Sequence, residues 1–377
     1  MLSARPAGVC HHRFGRRETA ITTLADPAPR CITVGVDAHL DVHVACALDQ
    51  LGQVVATSAI ATTPQCCQAL LGWARGLGQV QGWGIEGTSS YGAGLCRHLV
   101  AAGQVVWEVN RPDRAARRRH GKSDAVDARQ AARAVQAGLA TAVPKAGTGR
   151  VETIRALRVA RGGAMKARTA AVNALKGLVV TAPAGLREQL RGLGSAKLVA
   201  CCAGLAGTKA TAPAGVGAAL ASLAGRIQAL TGEITALDEQ LDRLVAATAP
   251  ALLARFGVGT DSAGALLVSA GDTPRRLRSA AALAALCGAC PVQASSGKTV
   301  RHRLNRGGDR QANAALHRIV VVRLRHDART QAYMARRLAQ GKTKREVMRC
   351  LKRAVVREVF QALNHLTTDL PVATCHL

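Results

Sequence analysis

The spacing of apolar positions changes character twice along the chain, near residue 150 and near residue 250. Before the first change, Cys31–Asp37 is an apolar run, Asp41–Leu48 alternates, and Gln53–Ile60 is β-branched and apolar. These patterns predict three strands. The turns around Ala38–Leu40 and Asp49–Gly52 are short, so the strands should form an antiparallel meander. Pro64–Gly76 then predicts a helix, Val80–Glu86 a strand, Tyr91–Ala102 a helix and Gln104–Val109 a strand. Ser123–Gly138 predicts a further helix with Ser123 at its N-cap. The expected order is βββαβαβα.

Three meander strands followed by αβ units is the order of a ribonuclease-H-like domain. The middle of the chain reads differently, with Ala/Leu-rich helical stretches at 151–180 and 217–247 and a Gly/Ala/Pro-rich loop at 203–217 between them. In the second stretch Leu223, Ile227, Leu230, Ile234, Leu237, Leu241 and Leu244 recur at spacings of three and four, a heptad-like seam. The seam fits either an ordinary helical hairpin or a coiled coil that joins protomers. From Pro250 onward, Leu253, Phe256, Gly257, Val258, Gly259, Ala263, Leu266 and Leu267 follow a helix-hairpin-helix pattern. In that motif the turn glycines, here Gly257 and Gly259, offer backbone N–H groups to a phosphate. Helices are expected at about 309–326 and 343–364. The fold class is therefore α/β plus all-α. A basic extension (1–30) precedes a ribonuclease-H-like mixed sheet (31–145), a helical/coiled-coil linker (146–250) and a mainly helical C-terminal domain (251–377).

Charge narrows the partner. The 377-residue chain carries 51 Lys+Arg against 23 Asp+Glu, a formal net charge of +28. Lys and Arg gain affinity for nucleic acid by releasing counterions from phosphates. A GC-rich genome also inflates Arg, but here the charge is clustered: Lys298–Arg353 holds seventeen Lys+Arg and three acids. Aromatics are only 2%, which favours contacts to backbone and duplex shape over base stacking. No run of about 18 apolar residues occurs, so no membrane helix is expected. The twelve cysteines, in a long chain with no signal-peptide pattern, read as reduced thiols of a cytosolic protein. Cys287 and Cys290 form one CxxC, with His302 as a conceivable third zinc ligand; packed small thiols are the favoured reading.

Against this basic background four acids stand out. Asp37 ends the first predicted strand and Glu86 the fourth, while Asp124 and Asp127 share one face of the helix that starts at Ser123. In a ribonuclease-H-like sheet the first and fourth strands are neighbours and the last helix packs beside them, so all four carboxylates should converge. Hard oxygen ligands on rigid elements suit Mg²⁺ or Mn²⁺, and two ions about 4 Å apart would clamp a scissile phosphate. Each acid alone reads equally as a surface charge or cap. Asp41 and Asp113 are further available acids, ranked below these four. Arg111, Arg114, Arg117, Arg118, Arg119 and Lys122 run just before Asp124 and would bring a nucleic-acid backbone to the metals.

Ser296-Gly297-Lys298-Thr299 resembles the tail of a P-loop, but the pattern needs a glycine where Val292 stands, and no clear strand leads in. What remains is a loop, Ser295-Ser296-Gly297, followed by Lys298, Arg301, Arg303, Arg306 and Arg310. A serine flanked by guanidiniums suits attack on phosphate; a polar turn is the plainer reading.

The segments VGVDAHLDVH, GIEGTSSYG, VNRPDR and GKSDAVDARQAAR resemble the N-terminal DEDD domain of the insertion-sequence one-ten family of transposases. FGVGTDSAGALLVSAGD, ASSGKTVRHRLNRGGDRQANAALH and GKTKREVMRCLKR resemble that family's C-terminal transposase domain, and together the segments span about residues 31–365. The family is similar to Piv-type DNA invertases. The resemblance implies a RuvC-like domain that binds divalent metal through Asp37, Glu86, Asp124 and Asp127, and a nucleophilic serine just before a glycine, which falls on Ser296 with Ser295 adjacent. It also implies cutting and rejoining of double-stranded DNA through a phosphoserine linkage, guidance by a noncoding bridge RNA, and a homodimer or homotetramer in which one subunit's acids meet another's serine. A bacterial, nucleoid-associated location follows from the same resemblance. The alternative function is a RuvC-type nuclease in which the acids direct water at the phosphate and the serine is structural. Residues 1–30 and the cysteines have no counterpart in the family pattern.

Overall fold

A computed structural model describes residues 30–109, 123–205, 214–273 and 276–364. The N-terminal part is a five-stranded mixed sheet. Strands β1 (Cys31–Ala38), β2 (Val42–Leu48), β3 (Val54–Ala61), β4 (Gln79–Glu86) and β5 (Val106–Val109) lie in the order β3-β2-β1-β4-β5. The first three form the expected antiparallel meander, and β4 and β5 add in parallel beside β1. The parallel strands are reached through α1 (Pro64–Leu77) and α2 (Ala93–Ala101). Thr63 caps α1, accepting from Cys66 N at 3.2 Å, with Pro64 at the first helical position. The βββαβαβα order ends with α3 (Asp124–Gln136).

The two faces of the sheet are packed differently. Val34, Val36, Trp83 and Ile85 point to one face, where they form a core with Leu70 and Leu71 of α1 and Leu95 and Leu99 of α2. The residues between them, Gly35 and Gly84, are cross-strand partners and point the other way, beneath α3. With no side chain on either glycine, the α3 backbone sits directly on the sheet. A Cβ on Gly35 would meet Ala132 N at 2.3 Å, and one on Gly84 would meet Ala131 O at 2.6 Å. Ala128 and Ala132 of α3 complete this face with Cys46 and Leu48.

Two long helices follow, α4 (Gly149–Val180) and α7 (Ala214–Thr248), packed antiparallel: Arg150 reaches Ala247 O, Arg161 pairs with Asp238, and Leu175 shares a cluster with Leu220. The seam residues Ile227, Ile234 and Leu241 are buried. Helix α7 starts at Ala214, inside the stretch expected to be a loop, and residues 206–213 lie outside the described residues. Between the long helices stand α5 (Ala184–Leu190) and α6 (Ser195–Ala203), which the sequence pattern did not indicate. Leu186, Leu190, Leu198 and Cys202 from them cap the hairpin's far end.

The near end merges into the C-terminal core. There Ile154, Leu241 and Val245 pack with α8 (Pro250–Leu253), α9 (Thr260–Ala270), α10 (Ala280–Leu286), α11 (Arg310–His326) and α13 (Lys344–Leu363). A further helix, α12 (Ala328–Ala339), bridges the last two; Asp327 caps it by accepting from Thr330 N at 3.1 Å. Helix α13 opens with a capping box between Thr343 and Glu346. Arg276 ties this core to the sheet, donating from Nε to Val143 O at 2.7 Å and pairing through Nη2 with Glu108 of β5 at 3.5 Å. Among the described residues no helix is long and apolar enough to cross a membrane.

Candidate active site

The carboxylates gather where the sheet register and α3 bring them. Val36 pairs with Ile85, so the next residues on these parallel strands, Asp37 and Glu86, end side by side. Both follow the glycines on the face that α3 covers. Ser123 starts α3, its hydroxyl accepting from Val126 N at 3.4 Å. Because α3 lies flush on Gly35 and Gly84, its first turn is delivered to the ends of β1 and β4. Asp127 is 3% exposed and faces the sheet, whereas Asp124 stands one turn out and is exposed.

One residue joins this cluster that the sequence pattern does not single out. His39 Nε2 lies 3.2 Å from Asp37 Oδ2 and 3.4 Å from Asp124 Oδ1. Donor atoms of Asp37, His39 and Asp124 all fall within 4.8 Å of one another. The signal was present as Asp37-x-His39: two residues apart on extended chain put both side chains on one face. Burial holds the Asp37 carboxyl above the usual carboxylate range; His39 draws it back down, and the charges of Asp127 and Asp124 push it up further. His43, opposite Ala38 on β2, is buried, and burial lowers its pKa, with His39 adding to the effect. A donor set of carboxylates and one imidazole, converging on a region a few ångströms wide, fits a divalent cation. Asp41 is exposed in the β1–β2 turn and stands outside the cluster.

The basic residues meant to flank this site, Arg111, Arg114, Arg117, Arg118, Arg119 and Lys122, lie outside the described residues, as does Asp113.

Ser295 and Ser296 occupy a β-hairpin where a plain loop was expected. Strands β6 (Pro291–Gln293) and β7 (His302–Leu304) pair antiparallel, so a short strand does lead into the SGKT segment. No helix follows it, and the segment is a turn in place of a P-loop. Ser296 and Thr299 exchange both backbone hydrogen bonds, at 3.1 and 3.0 Å, around Gly297-Lys298, and Gly297 has the positive φ (52°) such turns require. The two serines differ. Ser295 Oγ accepts from Arg301 N at 3.2 Å, which ties it across the hairpin. Ser296 is exposed at the tip, and Lys298, Arg301, Arg303, Arg306 and Arg310, which follow it in the chain, are all exposed and without an ion-pair partner among the described residues.

The hairpin is fixed at its root. Asn305 Nδ2 donates to Ala285 O at 3.3 Å and to Cys290 Sγ at 3.2 Å. Asn313 Nδ2 donates to the carbonyls of Cys287 (2.8 Å) and Gly288 (3.2 Å), and Lys352 Nζ donates to Asn313 Oδ1 at 2.7 Å. Cys287 is fully buried, its thiol pushed up to about 12 by burial, and with His302 exposed on β7 the trio forms no metal cluster among the described residues. Cys287 is packed in the core, whereas Cys290 is half-buried and accepts from Asn305.

In the expected helix-hairpin-helix, the first helix is the single turn α8. Gly257 (φ 78°) is pressed against α11, where a Cβ would meet Ile319 O at 3.3 Å, and Phe256 O accepts from Arg323 Nε at 2.9 Å. Gly259 is exposed as the N-cap residue of α9.

Comparison with known families bears on both halves. Residues 34–182 match the DEDD-type transposase model of IS110 elements, and residues 249–335 match the model described as transposase IS116/IS110/IS902 family. The chain belongs to the IS110 family of transposases. No curated protein matches it. An IS110-family transposase cleaves and transfers DNA strands, so DNA is the substrate. The DEDD-type match and the Asp-His-Asp cluster together point to divalent-metal use.

Proposed function

We propose that this IS110-family transposase cuts and rejoins double-stranded DNA through a phosphoserine linkage formed by Ser296. The observation that carries the reading is the contrast at the hairpin tip: Ser295 is bound across the hairpin, and Ser296 stands exposed at the turn, with five exposed cations following it in the chain. In the cutting step Ser296 Oγ bonds to a backbone phosphorus as the bond to the leaving deoxyribose oxygen breaks; the Oγ proton goes to solvent or to the leaving oxygen. Rejoining reverses this on a new strand end, releasing the serine. The guanidiniums of Arg301, Arg303, Arg306 and Arg310 and the Lys298 ammonium hold the strand and offset charge on the phosphate.

Asp37, Glu86, Asp124 and Asp127 are the residues that would hold Mg²⁺ or Mn²⁺. When bound, such an ion neutralises phosphate charge and makes a hydroxyl easier to deprotonate. The same reading includes a bridge RNA as guide and assembly into a homodimer or homotetramer, as the resemblance to the family implies. The four units that the sequence divides into (1–30, 31–145, 146–250 and 251–377) then have distinct parts: extension, metal domain, linker and serine domain.

The test is a search for the adduct. Wild-type protein with its DNA and divalent metal should leave a covalent protein–DNA species on denaturing gels, and Ser296→Ala should leave none while still binding DNA. Nicked DNA with free ends, unchanged in Ser296→Ala, would favour the water-attacking nuclease instead.

A further inference from the structure

We infer that His39 is a fifth donor of the cation site, ligating through Nε2, and that this nitrogen biases the site toward Mn²⁺ over Mg²⁺. The inference rests on the divalent-metal reading above. His39 Nε2 lies between an acid of β1 and an acid of α3, 3.2 Å from Asp37 Oδ2 and 3.4 Å from Asp124 Oδ1. Ligand atoms around one first-row divalent ion, each at roughly 2.0–2.2 Å, stand about 3–4.4 Å from one another. The three donors, all within 4.8 Å, already have close to that spacing. His39 also hydrogen-bonds the mostly buried Asp37 carboxylate in the metal-free chain, but its second contact, to Asp124, joins side chains 46% and 52% exposed, where an ion pair by itself holds little.

The chemistry then follows from the donor type. A site of carboxylates alone takes Mg²⁺ readily, because Mg²⁺ favours oxygen. An imidazole nitrogen adds little for Mg²⁺ and more for softer first-row ions. Mn²⁺ accepts both donor types, so His39 should separate the two ions while the acids serve both. The neighbouring imidazole, His43, is only 2% exposed and occupies the sheet interior.

The experiment uses the full chain, stripped of divalent ions and titrated with MnCl₂ alone or MgCl₂ alone by calorimetry. Electron spin-echo modulation on the Mn²⁺-loaded protein reads nitrogen ligation directly. Wild type should show imidazole ¹⁴N coupling. His39→Ala and the closer-sized His39→Asn should lose it, with Mn²⁺ affinity falling about tenfold or more and Mg²⁺ affinity changing far less. Mn²⁺ bound without ¹⁴N coupling in wild type, or coupling retained in both variants, overturns the assignment. Asp37→Asn separates the layers. If it abolishes Mn²⁺ binding while wild type lacks ¹⁴N coupling, only the His39 assignment fails; if it leaves Mn²⁺ binding intact, the metal reading fails and His39 with it.

Discussion

The carbonyl oxygen of Ala128 lies 2.0 Å from the point where a Cβ on Gly35 would sit. That contact sets the height of α3 above the sheet and so the position of Asp124 and Asp127 relative to Asp37. Gly35→Ala drives a methyl into backbone, which cannot yield as a side chain tip can. The expected cost is at or above the usual overpacking range of about 1–3 kcal/mol, read as a lower urea midpoint, together with loss of strand transfer. Gly94→Ala in α2, where nothing lies within 4 Å, is the control and should be neutral or slightly stabilising.

The two hairpin serines should behave oppositely. Ser295→Ala removes one acceptor for Arg301 N, a bond worth about 1 kcal/mol, and should slow adduct formation without abolishing it. A Ser295→Ala protein with no adduct, beside a Ser296→Ala protein that forms one, would move the nucleophile by one residue.

Asn313 spans from Lys352 to the carbonyls of Cys287 and Gly288. Asn313→Ala leaves a half-buried ammonium and two carbonyls without those partners, at a cost of about 2–3 kcal/mol. Because these groups hold the hairpin root, the adduct yield should fall further than the loss of folded protein accounts for. Circular dichroism and adduct assays on one preparation check this.

For His43 the sign runs against acid. Burial lowers its folded pKa below the usual histidine value of 6.5, so the unfolded chain takes up a proton that the folded chain resists. The stability linked to His43 is complete above about pH 6.5 and is lost as pH falls through its depressed folded pKa. His43→Leu should flatten the decline in Tm between pH 7 and pH 5, measured with divalent ions chelated.

Asp37 has the opposite shift, raised in the folded chain. Folding therefore loses stability as pH rises above 3.8 through the folded pKa, and at neutral pH the metal-free protein carries that penalty. Asp37→Asn should raise the metal-free Tm at neutral pH, read by calorimetry with divalent ions chelated. Adding Mn²⁺ should then stabilise wild type but not the variant.

Much of the fold was legible because its strands and helices are half-buried and carry a period. Val34 and Val36 alternate with Gly35 and Asp37, and the leucines of α7 repeat every three or four residues. Strand order placed Asp37 and Asp124 near each other, and these two stand within ligand spacing of one another together with His39. Other features carry no such period. Strands β6 and β7 are three residues each and largely exposed, so pairing comes from the turn and from Asn305, not from an apolar face. Helices α5 and α6 are short and are separated by Gly192 and Gly194, which read locally as loop. The Gly35–Gly84 seat for α3 depends on the register of strands almost fifty residues apart, which no local pattern encodes. His39 was passed over because a lone histidine after a strand is uninformative until a helix brings an acid to its other side.

The long helices have a consequence for how this protein comes together. Ile227, Ile234 and Leu241 of α7 bury themselves within their own chain, against α4 and the cores at either end of the hairpin. Formation of the hairpin is then a first-order event, and its melting should not shift with protein concentration. A newly made chain can therefore complete this arm while still alone, without waiting for a second copy.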